Sequence, residues 1–260
     1  MLIDSHCHLD RLDLKPYAGD FGRFVAETHA LGVDHMLCVS ISMEKWPGMM
    51  GLLENHPNLS ASVGVHPNEQ DCREPTVEEL SEHAGHPKIV AIGETGLDYF
   101  RSEGDLAWQH NRFRTHIRAA RETGKPLIIH TREAREDTLR ILREEGADQV
   151  GGVLHCFTED WETARQALDL NFYISFSGIV TFKNATQIQE TARKVPADRY
   201  LIETDSPYLA PIPHRGKPNY PHHVLHVARF VADLREIPLD TVAEQTTHNY
   251  WALFGKPGHG

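Results

Sequence analysis

Short apolar runs alternate along the chain with longer segments in which apolar residues recur every three or four positions. The short runs are LIDSH (2–6), HMLCVS (35–40), SASVGV (60–65), IVAIGE (89–94), PLIIHT (126–131), GGVLHC (151–156), FYISFSG (172–178) and YLIETD (200–205). Rich in β-branched residues and bounded by turn formers, they read as strands. A helical pattern follows each of them, beginning near Phe21, Met43, Thr76, Asp105, Glu133, Asp160, Asn184 and His222, and a last helix is predicted over 239–254. In the pattern that begins near Asp105, Leu106, Phe113, Ile117 and Ala120 share one helical face. Thr76-x-x-Glu79 and Asn184-x-x-Gln187 have the form of capping boxes, in which a side-chain oxygen takes an orphan helix N–H. Gly32, Gly124 and Gly146 stand where helices should stop, because glycine tolerates the left-handed cap.

Near-continuous apolar strands alternating with helices predict a parallel sheet buried on both faces. Eight such units predict an α/β fold, closed as a (β/α)8 TIM barrel, with 239–254 as an extra C-terminal helix. The 260 residues match the roughly 250 typical of one barrel. No low-complexity linker divides them, so 1–260 reads as one domain. The longest irregular stretch is SPYLAPIPHRGKPNYPHH (206–223).

Composition narrows the function classes. The net charge of −11 argues against charge-driven coating of nucleic acid, which needs clustered Lys and Arg. It leaves room for a substrate with one or two phosphates held locally. No run approaches the roughly 20 apolar residues of a membrane span. Asp4 stands where a secretory leader needs basic and then apolar residues, so a soluble, cytoplasmic protein is expected. The four cysteines, Cys7, Cys38, Cys72 and Cys156, show no CxxC spacing and fit a reducing compartment. Of the 18 histidines, His29, His83, His86, His116 and His259 fall on helices or surface segments and need no function.

The remaining chemistry gathers at strand ends. His6 and His8 close the first strand, His66 follows the third, and Glu94 ends the fourth. His130, His155 and Asp205 end the fifth, sixth and eighth. Barrel enzymes build their active sites on that rim. Residues i and i+2 of a strand point the same way, so His6 and His8 can share a metal while Cys7 faces the other side. Each residue also has a plainer reading. The His-x-His pair can be two exposed histidines, Glu94 the partner of a rim arginine, and His130 and His155 satisfied core histidines. Asp205 can be a turn cap. Together, four histidines and two carboxylates on one rim predict sites for divalent cations, with Zn, Mn or Mg suited to the donors. Glu94 has two oxygens and can bridge two cations. Glu203 faces the same way as Asp205 and is expected to anchor a ligand by a hydrogen bond. Cys156, next to His155 on the strand, should point away.

The blocks MLIDSHCHLD, VGVHPNE, IGETGLDYF, PLIIHTREA, LHCFT, SFSGIVTFKN, IETDSPYLAP and RGKPN resemble the TatD family of metal-dependent hydrolases, in its YcfH-like branch, from residue 1 to about 254. The resemblance implies an amidohydrolase-like TIM barrel and a deoxyribonuclease. It implies two divalent metal ions, one held by His6, His8, Glu94 and Asp205 and the other by Glu94, His130 and His155. It further implies that Asp205 takes the proton of the attacking water, and that His66, Arg215 and Lys217 lie near the substrate phosphate. The family's RGKxNEP segment reads RGKPNYP here, with Tyr220 in place of Glu. The expected substrate is DNA, single-stranded or at strand ends, cleaved exonucleolytically by a monomer. Tyr99, Phe100, Phe157 and Phe182 are rim aromatics able either to stack on bases or to pack between loops.

Two other readings remain open at this level. One is an amide, ester or aminoacyl hydrolase on the same scaffold. Cyclic amidases of this barrel class bridge their metals through a carboxylated lysine near the end of the fourth strand. Here Glu94 takes that slot and Lys125 lies at the wrong end of the fifth. The other is a catalytically idle metal-binding scaffold protein.

Overall fold

The computed structural model describes residues 1–70 and 72–255. Its strands are β1 (Leu2–Cys7), β2 (Val33–Cys38), β3 (Leu59–Val63), β4 (Ile89–Asp98), β5 (Leu127–Arg132), β6 (Gly152–Leu154), β7 (Phe172–Phe176) and β8 (Tyr200–Ile202). Each pairs in parallel with the next in chain order. The circle closes where Asp205 N donates to His6 O at 2.9 Å and His8 N donates to Ser206 O at 2.8 Å. The helices are α1 (Phe21–Ala30), α2 (Trp46–Leu53), α3 (Val77–Ala84), α4 (Ala107–Thr123), α5 (Arg135–Glu144), α6 (Trp161–Asp169), α7 (Thr186–Lys194), α8 (Val224–Arg235) and α9 (Leu239–Phe254). The eight strands and the extra helix are those the apolar pattern predicts. Among the described residues, no helix is long and apolar enough to cross a membrane.

Element boundaries differ from expectation in ways that matter at the rim. β2 starts and ends two residues early. β4 continues four residues past Glu94. β6 and β8 stop before His155 and Asp205, which therefore stand on loops. Side-chain caps explain three of the helix starts. Asp20, Thr76 and Asp160 cap α1, α3 and α6 by accepting from Arg23 N, Glu79 N and Thr163 N. The box at Thr76 closes one way only, because the Glu79 carboxylate is taken by Arg73. The box expected at Asn184 does not form: α7 begins at Thr186 with Ala185 as its cap. Gln187 instead donates to Thr158 O, on the neighbouring loop. Gly124 ends α4 in the left-handed conformation, as expected.

Two apolar layers hold the barrel. The larger lies between sheet and helices. The smaller takes Ile3, Leu37, Val90, Ile128, Val153, Tyr173 and Leu201 from every strand but β3, and packs them on Tyr250 and Phe254 of α9. Residues from seven strands meeting in a cluster apart from the helical layer are the filled interior of a barrel. α9 therefore plugs one end, and the ionisable rim occupies the other.

Two histidines are buried as neutral groups in this framework. His116, expected to be a helix residue of no consequence, is fully buried; its Nδ1–H donates to Arg112 O at 2.8 Å and its Nε2 accepts from Val65 N at 3.0 Å. Burial holds its pKa down at about 4, and burial, with Lys88 adding to it, does the same for His35. His259 lies outside the described residues. An unfolded histidine titrates near 6.5. The unfolded chain thus takes up these protons first, and the stability held above about pH 6.5 drains as pH falls towards 4. The loss is on the order of 3 kcal/mol for each group. Urea unfolding of chelated protein across this range should show a pH slope one proton shallower in His116→Gln than in the native chain. Equal slopes would mean that His116 titrates normally.

Candidate metal centre

Five histidines and two carboxylates converge inside the open end of the barrel. Glu94 is at the middle. It sits within β4 at a break in the β4–β5 register between Ile92 and Thr95. Such a bulge re-aims a side chain. Gly93 and Gly96 flank it at φ of 147° and 131°, and a Cβ at Gly96 would strike the His130 carbonyl. Both positions therefore need glycine. The result is a carboxylate only 2 % exposed whose two oxygens face different partners. Glu94 Oε1 lies 2.8 Å from His155 Nε2, 3.3 Å from His130 Nδ1 and 3.3 Å from His66 Nε2. Glu94 Oε2 lies 3.4 Å from His6 Nε2 and 3.8 Å from His8 Nε2. Asp205 Oδ1 completes the second group, 3.4 Å from His8 Nε2 and 3.7 Å from His6 Nε2.

Hydrogen bonds at the far ring nitrogens decide what each imidazole offers. His8 Nδ1–H donates to Val39 O at 2.9 Å. His155 Nδ1–H donates to Glu203 Oε1 at 3.1 Å, and Cys156 N holds the same oxygen at 2.9 Å. His130 Nε2–H donates to Asp98 Oδ2 at 3.0 Å. In the neutral ring the other nitrogen then carries a lone pair. So His8 and His155 present Nε2 to the centre, and His130 presents Nδ1. Neither nitrogen of buried His6 has a protein hydrogen-bond partner. His66 is the opposite case. Its Nδ1 accepts from Asn68 N at 3.0 Å, so its Nε2 carries the proton and points an N–H, not a lone pair, at Glu94.

The electrostatics follow from this packing. Burial pushes the Glu94 pKa up, but His155, His66 and the hydrogen bond from His130 pull it well below the usual carboxylate range. Burial likewise opposes ionisation of Asp205, and His8 and His6 outweigh it. Burial lowers the His155 pKa, but Glu94 and Glu203 carry it well above normal. The centre is thus a buried anionic pair ringed by nitrogen donors. Unpartnered atoms remain on His6 and on Glu94 Oε2. Each such atom costs roughly 1–3 kcal/mol if left bare, and lone pairs aimed at one point call for a cation. Imidazole with carboxylate fits Zn or Mn and admits Mg. His6, His8 and Asp205 have ligand atoms close enough to share one ion. Orientation of ligands by a carbonyl and by carboxylates is characteristic of metal sites.

A cavity of about 820 Å³ opens above the centre, walled in part by Arg11, Asn68, Arg101, Arg132, Cys156 and Tyr208. Asp98 was not foreseen as a site residue. It holds His130, and it accepts from Asn68 Nδ2 and from the N–H groups of Phe100 and Arg101. Cys156 does not point away as strand alternation suggests: β6 has ended, its φ is 43°, and it lines the cavity. Its thiol approaches Ser177 Oγ at 3.2 Å. Arg215 and Lys217 do not line the cavity. The Arg215 guanidinium lies 4.3 Å over the Phe182 ring, and Asn219 anchors the segment by donating to Thr204 O and Tyr208 O. Tyr220 donates to Asp13 O at 2.9 Å, away from the centre. Phe157 is buried in the core, and the Tyr99 hydroxyl is taken by Asp137 and His110. These two aromatics pack; Phe100 remains exposed.

Comparison with known proteins follows the same architecture. The family model described as TatD related DNase matches residues 3–255. The chain is 49 % identical over 254 residues to the uncharacterized metal-dependent hydrolase YcfH of Escherichia coli K12, covering 97 % of this chain and 95 % of that one. It is 40 % identical over 255 residues to the uncharacterized metal-dependent hydrolase YabD of Bacillus subtilis, covering 98 % and 99 %. Among solved structures, YJJV, a TatD homolog from Escherichia coli K12, superposes with a TM-score of 0.89 at 27 % identity, with 98 % of both chains covered.

Proposed function

Because the chain belongs to the TatD family of metal-dependent hydrolases, we propose that it hydrolyses phosphodiester bonds of DNA, at or near the ends of single strands. The observation that carries this reading is the division of Glu94, one oxygen facing His130 and His155 and the other facing His6 and His8. His6, His8, Glu94 and Asp205 would hold one divalent cation, and Glu94, His130 and His155 the other. Cations held there supply Lewis acidity, lowering the pKa of water and offsetting charge on phosphoryl oxygens.

The chain's own residues do the rest. Asp205 is ionised and, at 14 % side-chain exposure, more open than Glu94, so it is placed to accept the proton of the attacking water. His66 offers a neutral N–H donor to a phosphoryl oxygen, its tautomer held by the Asn68 N–H. Arg11, Arg101 and Arg132 on the cavity wall meet the remaining phosphate charge, in place of Arg215 and Lys217. Against a cyclic amidase stands Lys125, whose Nζ donates to Ile89 O at the first residue of β4, far from the bridging position of Glu94.

The test is a gel assay on end-labelled single-stranded DNA with chelated and metal-restored protein. Chelation should abolish cleavage, and Mg, Mn or Zn should restore it. Metal-restored protein that leaves DNA intact while cleaving aminoacyl or cyclic-amide substrates would refute the reading.

A further inference from the structure

Among the described residues, the exposed large apolar side chains are Met1, Leu31, Phe100, Tyr208 and Ile212; Tyr208 lines the cavity, and Phe100 lies against Arg132, which lines it. Phe100 is 56 % exposed and Tyr208 47 %. Phe100 follows β4, whereas Tyr208 follows β8. In a closed barrel whose eight strands run in chain order, β4 and β8 are four strands apart, so the rings stand on opposite sides of the mouth.

Each ring has an arginine from the neighbouring strand. The Arg132 guanidinium, at the end of β5, lies 3.8 Å over the Phe100 ring. Arg11, just after β1, donates to the Tyr208 hydroxyl at 3.3 Å. Arg11, Arg101 and Arg132 line the cavity and have no carboxylate within 4 Å among the described residues. Unpaired guanidinium groups around an anionic floor, in a chain of net charge −11, make a local seat for phosphate. Glu133 and Glu159 form the wall on the β5 and β6 side and discourage a polyanion there.

We propose that Phe100 with Arg132, and Tyr208 with Arg11, are two base-stacking platforms on either side of the scissile phosphate. The unit they recognise is two successive nucleotides of a single strand, whose bases are free to stack. This deepens, and rests on, the phosphodiesterase reading of the centre.

Phe100→Ala and Tyr208→Ala should each raise KM for a short single-stranded oligonucleotide by roughly 5- to 150-fold, the usual worth of one base–aromatic stack, with kcat changing less. For the native protein, a strand with a single abasic site, on the side of the cleaved bond that the altered platform serves, should show a similar rise in KM, which that substitution should not increase further. Equal KM rises on intact and abasic strands, or none on either, would overturn the platforms. Binding of a fluorescein-labelled oligonucleotide to chelated protein, followed by anisotropy, reads the same contacts without turnover. Weaker binding in both variants upholds the platforms even if no cleavage occurs, in which case the phosphodiesterase reading alone fails. Unchanged binding refutes the platforms whatever the catalytic result.

Discussion

Glu94→Gln is expected to lower hydrolysis about a thousand-fold or more and to strip most of the divalent metal from the protein. The substitution keeps shape but replaces one carboxylate oxygen with an NH₂ group and removes the charge. Whichever oxygen is lost, one group of histidines loses its anionic partner: His130 and His155 lie on Oε1, His6 and His8 on Oε2. If Glu94 bridges two cations, as proposed, neither site survives intact. Metal-ion charge stabilisation is worth several kcal/mol in such a transition state, and each 1.36 kcal/mol is a decade in rate. The checks are metal content after dialysis and rate under saturating metal, with circular dichroism to show that the chelated variant folds. A folded Glu94→Gln protein that retains its metal and a near-native rate would mean that the two groups of histidines do not share a carboxylate.

The barrel was legible because burial on both faces leaves a strong mark. A strand flanked by helices and filled core has to be apolar at nearly every position, and eight such runs cannot be hidden. Strand ends were less legible. The apolar run stops at Glu94, yet β4 continues through Thr95 and Leu97 to Asp98. The signal was present in the glycines of IGETG: two glycines around one carboxylate mark a bulge rather than an end. Missing it also hid Asp98, four residues beyond Glu94, which fixes the tautomer of His130. Cys156 was misdirected for the opposite reason, since β6 is shorter than its apolar run and alternation does not extend past a strand.

The residues gathered at the centre were more legible than those on the cavity wall. Burying histidine or carboxylate on a strand is costly without a partner, so His6, Glu94 and His130 stand out in their sequence surroundings. Arginines at strand ends and in the turns that follow carry no such mark. Arg11, Arg101 and Arg132 look like ordinary surface residues until the fold sets them around one cavity. Arg215 and Lys217 stand out in sequence but belong to a segment anchored through Asn219, which holds the backbone after β8 instead of turning it into the cavity.

Asp205→Asn separates a base from a ligand, and is expected to reduce the rate by about 10²–10⁴-fold, the usual contribution of a general base, with little change in metal content. Asparagine is the right replacement. Residue 205 has a φ of 55°, a left-handed conformation that Asn and Asp accept more readily than other side chains. The backbone that brings Asp205 N to His6 O is then kept. His6, His8 and Glu94 remain as donors, so cation binding weakens without being lost. Measurement at saturating Mn or Mg makes the distinction. If Asp205 serves only as a ligand, excess metal restores the native rate. If it takes the proton of water, the rate stays low however much metal is added, because Asn has no basic oxygen to receive it. If Asp205 is that base, the acid limb of the pH–rate profile should also disappear, since its protonation would close the reaction at low pH. A variant rescued fully by metal, with that limb intact, would move the base to another group.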